Sequence, residues 1–224
     1  MDSNIQYLRE LNLKETKQKI KESLTDDLIL IQAVHSYNEL IKAESRLLNV
    51  LKDWYGYYFP EITEKEDFTE LISQDKNELI NKFKIKDSMG SSLSNEDLKP
   101  ILTLGKIISD IKTLKNNNEI YIENKIKILA PKLSEVATPI IGALLIEKAG
   151  SLKHLAELPS STVQILGAEK SLFRHLRTKT KSPKYGVIFS HPLLTKANYK
   201  DKGKTARQIA AKISIAVKQD YFRK

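Results

Sequence analysis

The chain has 224 residues, 41% of them hydrophobic and 29% charged, the composition of a folded globular protein with a sizeable core. With no cysteine, disulfide scaffolds, thiolate metal sites and cysteine nucleophiles are excluded together. The formal net charge of +9 is unevenly placed: residues 141–224 carry 17 Lys/Arg against 5 Asp/Glu, whereas the first 140 hold 20 against 23, so the C-terminal part is strongly basic and points to an anionic partner. No stretch approaches the roughly 20 apolar residues that span a bilayer, and Met1-Asp2-Ser3-Asn4 lacks the pattern of a signal peptide. The expected compartment is the cytosol, or the nucleus or nucleolus of a eukaryote, with no membrane partner.

Residues 1–24 are polar and helix-tolerant. From Thr25, a cap candidate followed by Asp26 and Asp27, a long helix is expected. Leu30, Val34, Tyr37, Ile41, Leu48, Leu51, Tyr55 and Tyr58 form a heptad seam with one polar gap at Glu44, and Pro60 stops it. Such a helix runs about 33 residues, or roughly 50 Å, and needs a partner. Residues 61–94 read as charged and irregular, with Ser88–Ser92 a turn or mobile loop. Ser94-Asn95-Glu96-Asp97 opens a second helix. Its seam runs Ile101, Leu104, Ile108 and Ile111, then Ile122, Ile126, Leu129 and Leu133, with Asn116-Asn117-Asn118 between. One interrupted helix and two helices both fit. Long helix, linker and long helix read as an antiparallel coiled-coil hairpin over 25–138; an ordinary bundle satisfies the same pattern.

From Pro139 the segments shorten, and three helices fit: about 140–158, 161–178 and 202–222, with Ser161 a cap candidate. The expected fold class is all-α, a long antiparallel helical coiled-coil hairpin followed by a compact basic helical domain over 139–224. On 161–178, Lys170, Arg174 and Arg177 share one stripe, and Val163, Leu166, Phe173 and Leu176 face the core on the other side. On 202–222, Lys200, Lys204 and Arg207 stack, while Ile209, Ile213, Ala216 and Val217 point inward. The intervening loop adds Lys179, Lys181 and Lys184. Arginine suits phosphate because its planar fork donates two hydrogen bonds at once. Tyr185, Phe189, His191 and Tyr199 lie among these charges. Such rings can stack on unpaired bases, although Tyr185 and Phe189 read better as core.

No catalytic or metal constellation is present. Gly203-Lys204-Thr205 lacks the earlier glycine of a phosphate-binding loop, since position 198 is Asn198. The four histidines are scattered, and Ser160 and Ser161 read as helix caps rather than nucleophiles. No cofactor is expected.

Ser160-Ser161-Thr162-Val163-Gln164-Ile165-Leu166-Gly167-Ala168-Glu169-Lys170-Ser171-Leu172-Phe173-Arg174 closely resembles the signature of the Nop domain. So do Ser182-Pro183-Lys184-Tyr185-Gly186-Val187-Ile188-Phe189-Ser190-His191-Pro192 and the tail from Gly203-Lys204 to Asp220-Tyr221-Phe222. Asp53-Trp54-Tyr55-Gly56-Tyr57-Tyr58-Phe59-Pro60-Glu61 looks like the segment that ends the family's first coiled-coil helix, and the likeness covers roughly residues 30–224. Nop domains occur in scaffold proteins of box C/D ribonucleoproteins and in a related spliceosomal factor.

The resemblance implies a non-enzymatic scaffold that binds a kink-turn RNA already held by a small kink-turn-binding protein. It implies a protein-partner surface at Gly167, Ala168, Glu169 and Phe173. Lys170, Arg174, Arg177, Lys179, Lys181, Lys184, His191, Lys204 and Arg207 are the RNA-binding candidates. In archaeal relatives the coiled coil mediates self-association, which is therefore expected here. Two departures matter. Fewer than 30 residues precede the coiled coil, so the fibrillarin-docking domain has no counterpart in this sequence, and fibrillarin docking is not expected. Many relatives carry two histidines where this chain has Ser190-His191, so stacking by the first is absent. The alternative reading is a coiled-coil adaptor whose basic domain meets an acidic protein.

Overall fold

The computed structural model describes residues 2–222. Arg223 and Lys224, the end of the expected basic domain, lie outside them. Among the described residues there is no strand, so the fold is all-α. None of the helices is long and apolar enough to cross a membrane. The chain forms two compact units, residues 1–35 with 121–224 and residues 36–120. The division falls inside the two long helices rather than near residue 138.

The unit of residues 36–120 is built on the C-terminal part of α2 (Asp26–Gly56) and most of α5 (Asn95–Leu129), with α3 (Phe68–Leu71) and α4 (Lys76–Phe83) between. Tyr37 Oη donates to Glu119 at 3.3 Å and Lys115 Nζ to Glu44 at 2.6 Å, so here the two long helices run antiparallel. The polar gap in the seam is therefore filled: Glu44 meets Lys115 with both side chains about a fifth exposed. Further along, Leu51, Tyr55 and Phe59 close a core with Ile62, Phe68, Leu71, Leu79, Ile101 and Ile108. Ser94 Oγ accepts from Asp97 N at 3.2 Å, the expected cap, and α5 continues unbroken through Asn116–Asn118.

Two expectations change in this unit. Residues 61–94 contain two helices, because Asp75 caps α4 by accepting from Asn77 N at 3.1 Å. The Ser88–Ser92 loop is pinned: Glu61 accepts from Met89 N at 2.7 Å and Ser88 Oγ at 3.1 Å, and Ser91 N donates to Tyr57 O at 2.8 Å. Burial alone would raise the Glu61 carboxyl, but these donors and the nearby Lys76 hold it below its ordinary value.

The other unit contains α1 (Asp2–Glu22), whose side chains from Ile5 to Glu22 are all exposed. It also holds the start of α2, the end of α5, and α6 (Pro131–Ala137), α7 (Pro139–Ala149), α8 (Leu152–Glu157), α9 (Ser160–Ile165), α10 (Glu169–Thr178), α11 (Pro192–Thr195) and α12 (Lys202–Phe222). Central α12 packs against α6, α8 and α9, burying Ile209, Ile213, Ala216 and Val217 as the spacing predicts, and Ala206 and Ala210 besides. Carboxylates tie helix starts into this unit, from α12 and from α2. Asp220 is 7% exposed and accepts from Lys132 N at 3.2 Å and Leu133 N at 2.8 Å, satisfying donors that α6 leaves open. Asp27 accepts from Leu152 N at 3.0 Å, at the first turn of α8.

The expected helices 140–158 and 161–178 are each broken. Gly150 ends α7 at φ 84° and Ser151 caps α8, accepting from His154 N at 3.0 Å. α9 follows Pro159, and neither Ser160 nor Ser161 caps it through a side chain.

Candidate nucleic-acid interface

The second break shapes the basic surface. After α9 the chain turns at Leu166–Ala168, where Gly167 adopts φ 87°, a conformation that favours glycine. Glu169 closes the turn, its Oε1 accepting from Gly167 N at 2.6 Å. The turn is stitched to the second motif: Gly186 N donates to Gln164 O at 2.9 Å, Val187 N to Leu166 O at 2.8 Å, and Gln164 Nε2 to Lys184 O at 2.6 Å. A Cβ at position 186 would lie 2.0 Å from Leu166 O, so only glycine permits this approach. The two signature segments, distant in sequence, are one structural element.

α10 projects from this turn with no buried residue. Lys170, Arg174 and Arg177 are exposed along it, in one stripe as expected. Phe173 is 61% and Leu176 67% exposed, contrary to their expected place in the core. The turn at Gly167 resets the helical phase, so Val163 and Leu166 stay inside while the apolar face of α10 is presented to solvent. Lys179 ends α10 in the left-handed region at φ 53°, and Lys181 and Lys184 follow in an exposed loop. Lys204 and Arg207 are exposed on the first turns of α12, while Lys200 lies just before that helix. The stem of Lys184 reaches Gly203, its Cδ 3.8 Å from where a Cβ would stand, which joins the loop to the start of α12. Among the described residues, no Lys or Arg from 160 to 222 forms an ion pair.

His191 departs from this set. It is 5% exposed, its Nε2 lies 3.0 Å from Val136 O, and its Nδ1 accepts from Leu193 N at 3.2 Å to cap α11. Both ring nitrogens are engaged inside the fold, so His191 supports the surface rather than forming it. Tyr185 and Phe189 move the other way: Tyr185 is half-buried and Phe189 exposed, where a place in the core was expected. Of the protein-partner candidates, Gly167, Glu169 and Phe173 are exposed and Ala168 is half-buried. Lys202 and Gln164 were missed. The signal for Lys202 was its place two residues before Lys204; Gln164 had none, since its role depends on Lys184 O.

Among the described residues, no group of three His, Cys, Asp or Glu side chains is placed to hold a metal ion. What the arrangement offers is uncompensated positive charge beside exposed rings, on a rigid turn.

The chain is similar to known proteins. The Nop family model, described as "snoRNA binding domain, fibrillarin", matches residues 36–224. Nucleolar protein 58 of Candida albicans is 34% identical over 218 residues, covering 88% of this chain and 42% of its own length. Nucleolar protein 58 of Neurospora crassa is 33% identical over 254 residues, covering 96% and 42%. The chain thus spans about two-fifths of these relatives. A crystal structure of a fibrillarin/Nop5p complex matches with a TM-score of 0.56 and 25% identity, over 98% of this chain and 71% of that one. With the match running from Ser36 to the C-terminus and a third of residues shared with curated relatives, the chain belongs to the Nop domain family.

Proposed function

We propose that the chain is a non-enzymatic RNA-binding scaffold of the box C/D type, recognising a kink-turn RNA together with a small kink-turn-binding protein. The observation that carries the reading is the exposed, unpaired set of Lys170, Arg174, Arg177, Lys179, Lys181, Lys184, Lys204 and Arg207 around the Gly167 turn. Cations without carboxylate partners are available to phosphates, which supply most of the affinity of such complexes. Beside them, Gly167, Ala168, Glu169 and the exposed apolar face of α10 (Phe173 and Leu176) provide the surface for the protein partner. Fibrillarin accompanies Nop5p in the matched complex; the interface above is built from this chain's own residues and requires nothing of it. The relatives' name, nucleolar protein, favours the nucleolus over the cytosol.

Self-association through the helical hairpin is part of the proposal. Val50 and Trp54 on α2 and Tyr57 in the turn just after it are 53%, 40% and 70% exposed and form an apolar patch suited to a second copy.

Gel shifts with a kink-turn RNA, alone and with its kink-turn-binding protein, test the reading. Tight binding should require both. Arg174→Ala should weaken it by about 1–3 kcal/mol and lower the salt slope by about one. Equal affinity with and without the protein would remove the composite surface. Competition by any polyanion but not by the folded kink-turn would favour an adaptor for an acidic protein.

A further inference from the structure

We propose that Tyr185 and Phe189 form a stacking site for one unpaired nucleobase, kept ready by Lys202; this rests on the RNA-binding reading above. The two rings lie nearly parallel, with centroids 5.0 Å apart and planes 14° from each other. Phe189 is 45% exposed. The backbone beneath it is fixed: Phe189 N donates to Gly186 O at 3.0 Å, and Gly186 and Val187 are tied to Gln164 and Leu166.

Tyr185 covers one face of the Phe189 ring. The ammonium of Lys202 lies over the same ring, 5.1 Å from its centroid. Nearby, Lys184 Nζ stands 5.4 Å from the centroid of Tyr199, a ring 79% exposed. Neither lysine has a carboxylate partner among the described residues, so the rings are where these ammonium groups rest.

A cation over a solvent-exposed ring is held more weakly than a base stacked on one. A base can therefore displace the Lys202 ammonium. The freed group, on a flexible stem a few ångströms away, then meets the phosphate of the same nucleotide. The exchange replaces one weak contact by two complementary ones, a π-face on Phe189 and an anion on Lys202. An acidic peptide supplies the anion without the flat ring. The ligand that fits is a nucleotide whose base has left its stack, as in the loops and bulges that single-strand readers target.

The test is a fluorescence titration of the full chain with an RNA hexamer carrying 2-aminopurine, against an abasic hexamer with the same number of phosphates. The base-carrying probe should bind about tenfold tighter and lose emission on binding. Phe189→Leu should abolish the preference and the quenching while leaving the salt slope unchanged. Lys202→Met should keep the quenching and reduce the salt slope. Circular dichroism confirms that both variants fold. Equal, unquenched binding of both probes by the wild-type chain would overturn the stacking site and leave the RNA reading standing. Binding of neither probe would overturn the stacking site, and the RNA reading would fall with it only if the gel shifts with the kink-turn-binding protein also failed. Loss in Phe189→Leu of capture of the kink-turn-binding protein alone would make the ring a protein contact and overturn the proposal.

Discussion

Gly186→Ala tests the stitch between the two signature segments. The added methyl would lie 2.0 Å from Leu166 O, 2.7 Å from Leu166 C and 2.8 Å from Ile165 C, all backbone atoms that no rotamer change can move. A carbon and a carbonyl oxygen need about 3.3 Å, so the segments must separate by more than about 1 Å. That separation breaks the hydrogen bonds Gly186 N to Gln164 O and Val187 N to Leu166 O, now 2.9 and 2.8 Å. Each is worth about 1 kcal/mol net, and the steric conflict adds about 1–3 kcal/mol, for a total of roughly 3–5 kcal/mol. In a chain of this size that lowers the melting temperature by roughly 10 °C. Thermal melts followed by circular dichroism measure it, and RNA affinity should fall with it because the same turn presents Lys170 and Arg174. A variant that melts within about 2 °C of the parent and binds RNA equally would refute the reasoning.

Asp220→Ala should cost about 2–3 kcal/mol in urea unfolding, since it strips the acceptor from two backbone donors of α6, whereas Asp53→Ala, at an exposed site, should be near neutral. Burial pushes the Asp27 carboxyl up, but hydrogen bonds from Thr25 and from the backbone of Leu152 and Leu28 outweigh it and hold its pKa below 3.8. Its contribution is therefore present above about pH 4 and lost as acid protonates the folded state; Asp27→Asn should melt lower than the parent at pH 7, with the gap closing as the pH falls below about 4. Glu44→Ala should destabilise the 36–120 unit by about 1–3 kcal/mol by leaving Lys115 half-buried and unpaired, and Glu44→Leu with Lys115→Leu should recover most of that in thermal melts.

Features set by periodicity were legible from the residues. The seams of the long helices, apart from Ile41, which is 41% exposed, the Ser94 cap and the inward face of α12 follow from spacing and local chemistry, because burying one stripe is the only arrangement such helices have. Elements decided by one residue or by a distant partner were not. Gly167 changes the helical phase at a single φ, and apolar spacing carries no trace of it, so Phe173 and Leu176 read as core when they face water. His191 among cations reads as an RNA ligand; its partner, Val136 O, lies 55 residues away in sequence. Phe189 reads as core because short apolar runs usually are, and only the stitched backbone beneath it turns the ring outward. α1 is polar on most sides and exposed from Ile5 to Glu22, so no stripe announced it.

The stitch also makes the excursion from Glu169 to Lys184 a cassette. It leaves and re-enters the fold at one place, clasped by Gln164 Nε2 on Lys184 O, and no residue of its helix is fully buried. Lengthening such a closed loop costs only slowly growing closure entropy. Its helix can thus be extended, recharged or exchanged without repacking the core, which lets one scaffold acquire a different RNA or partner preference by changing a segment that its stability scarcely depends on.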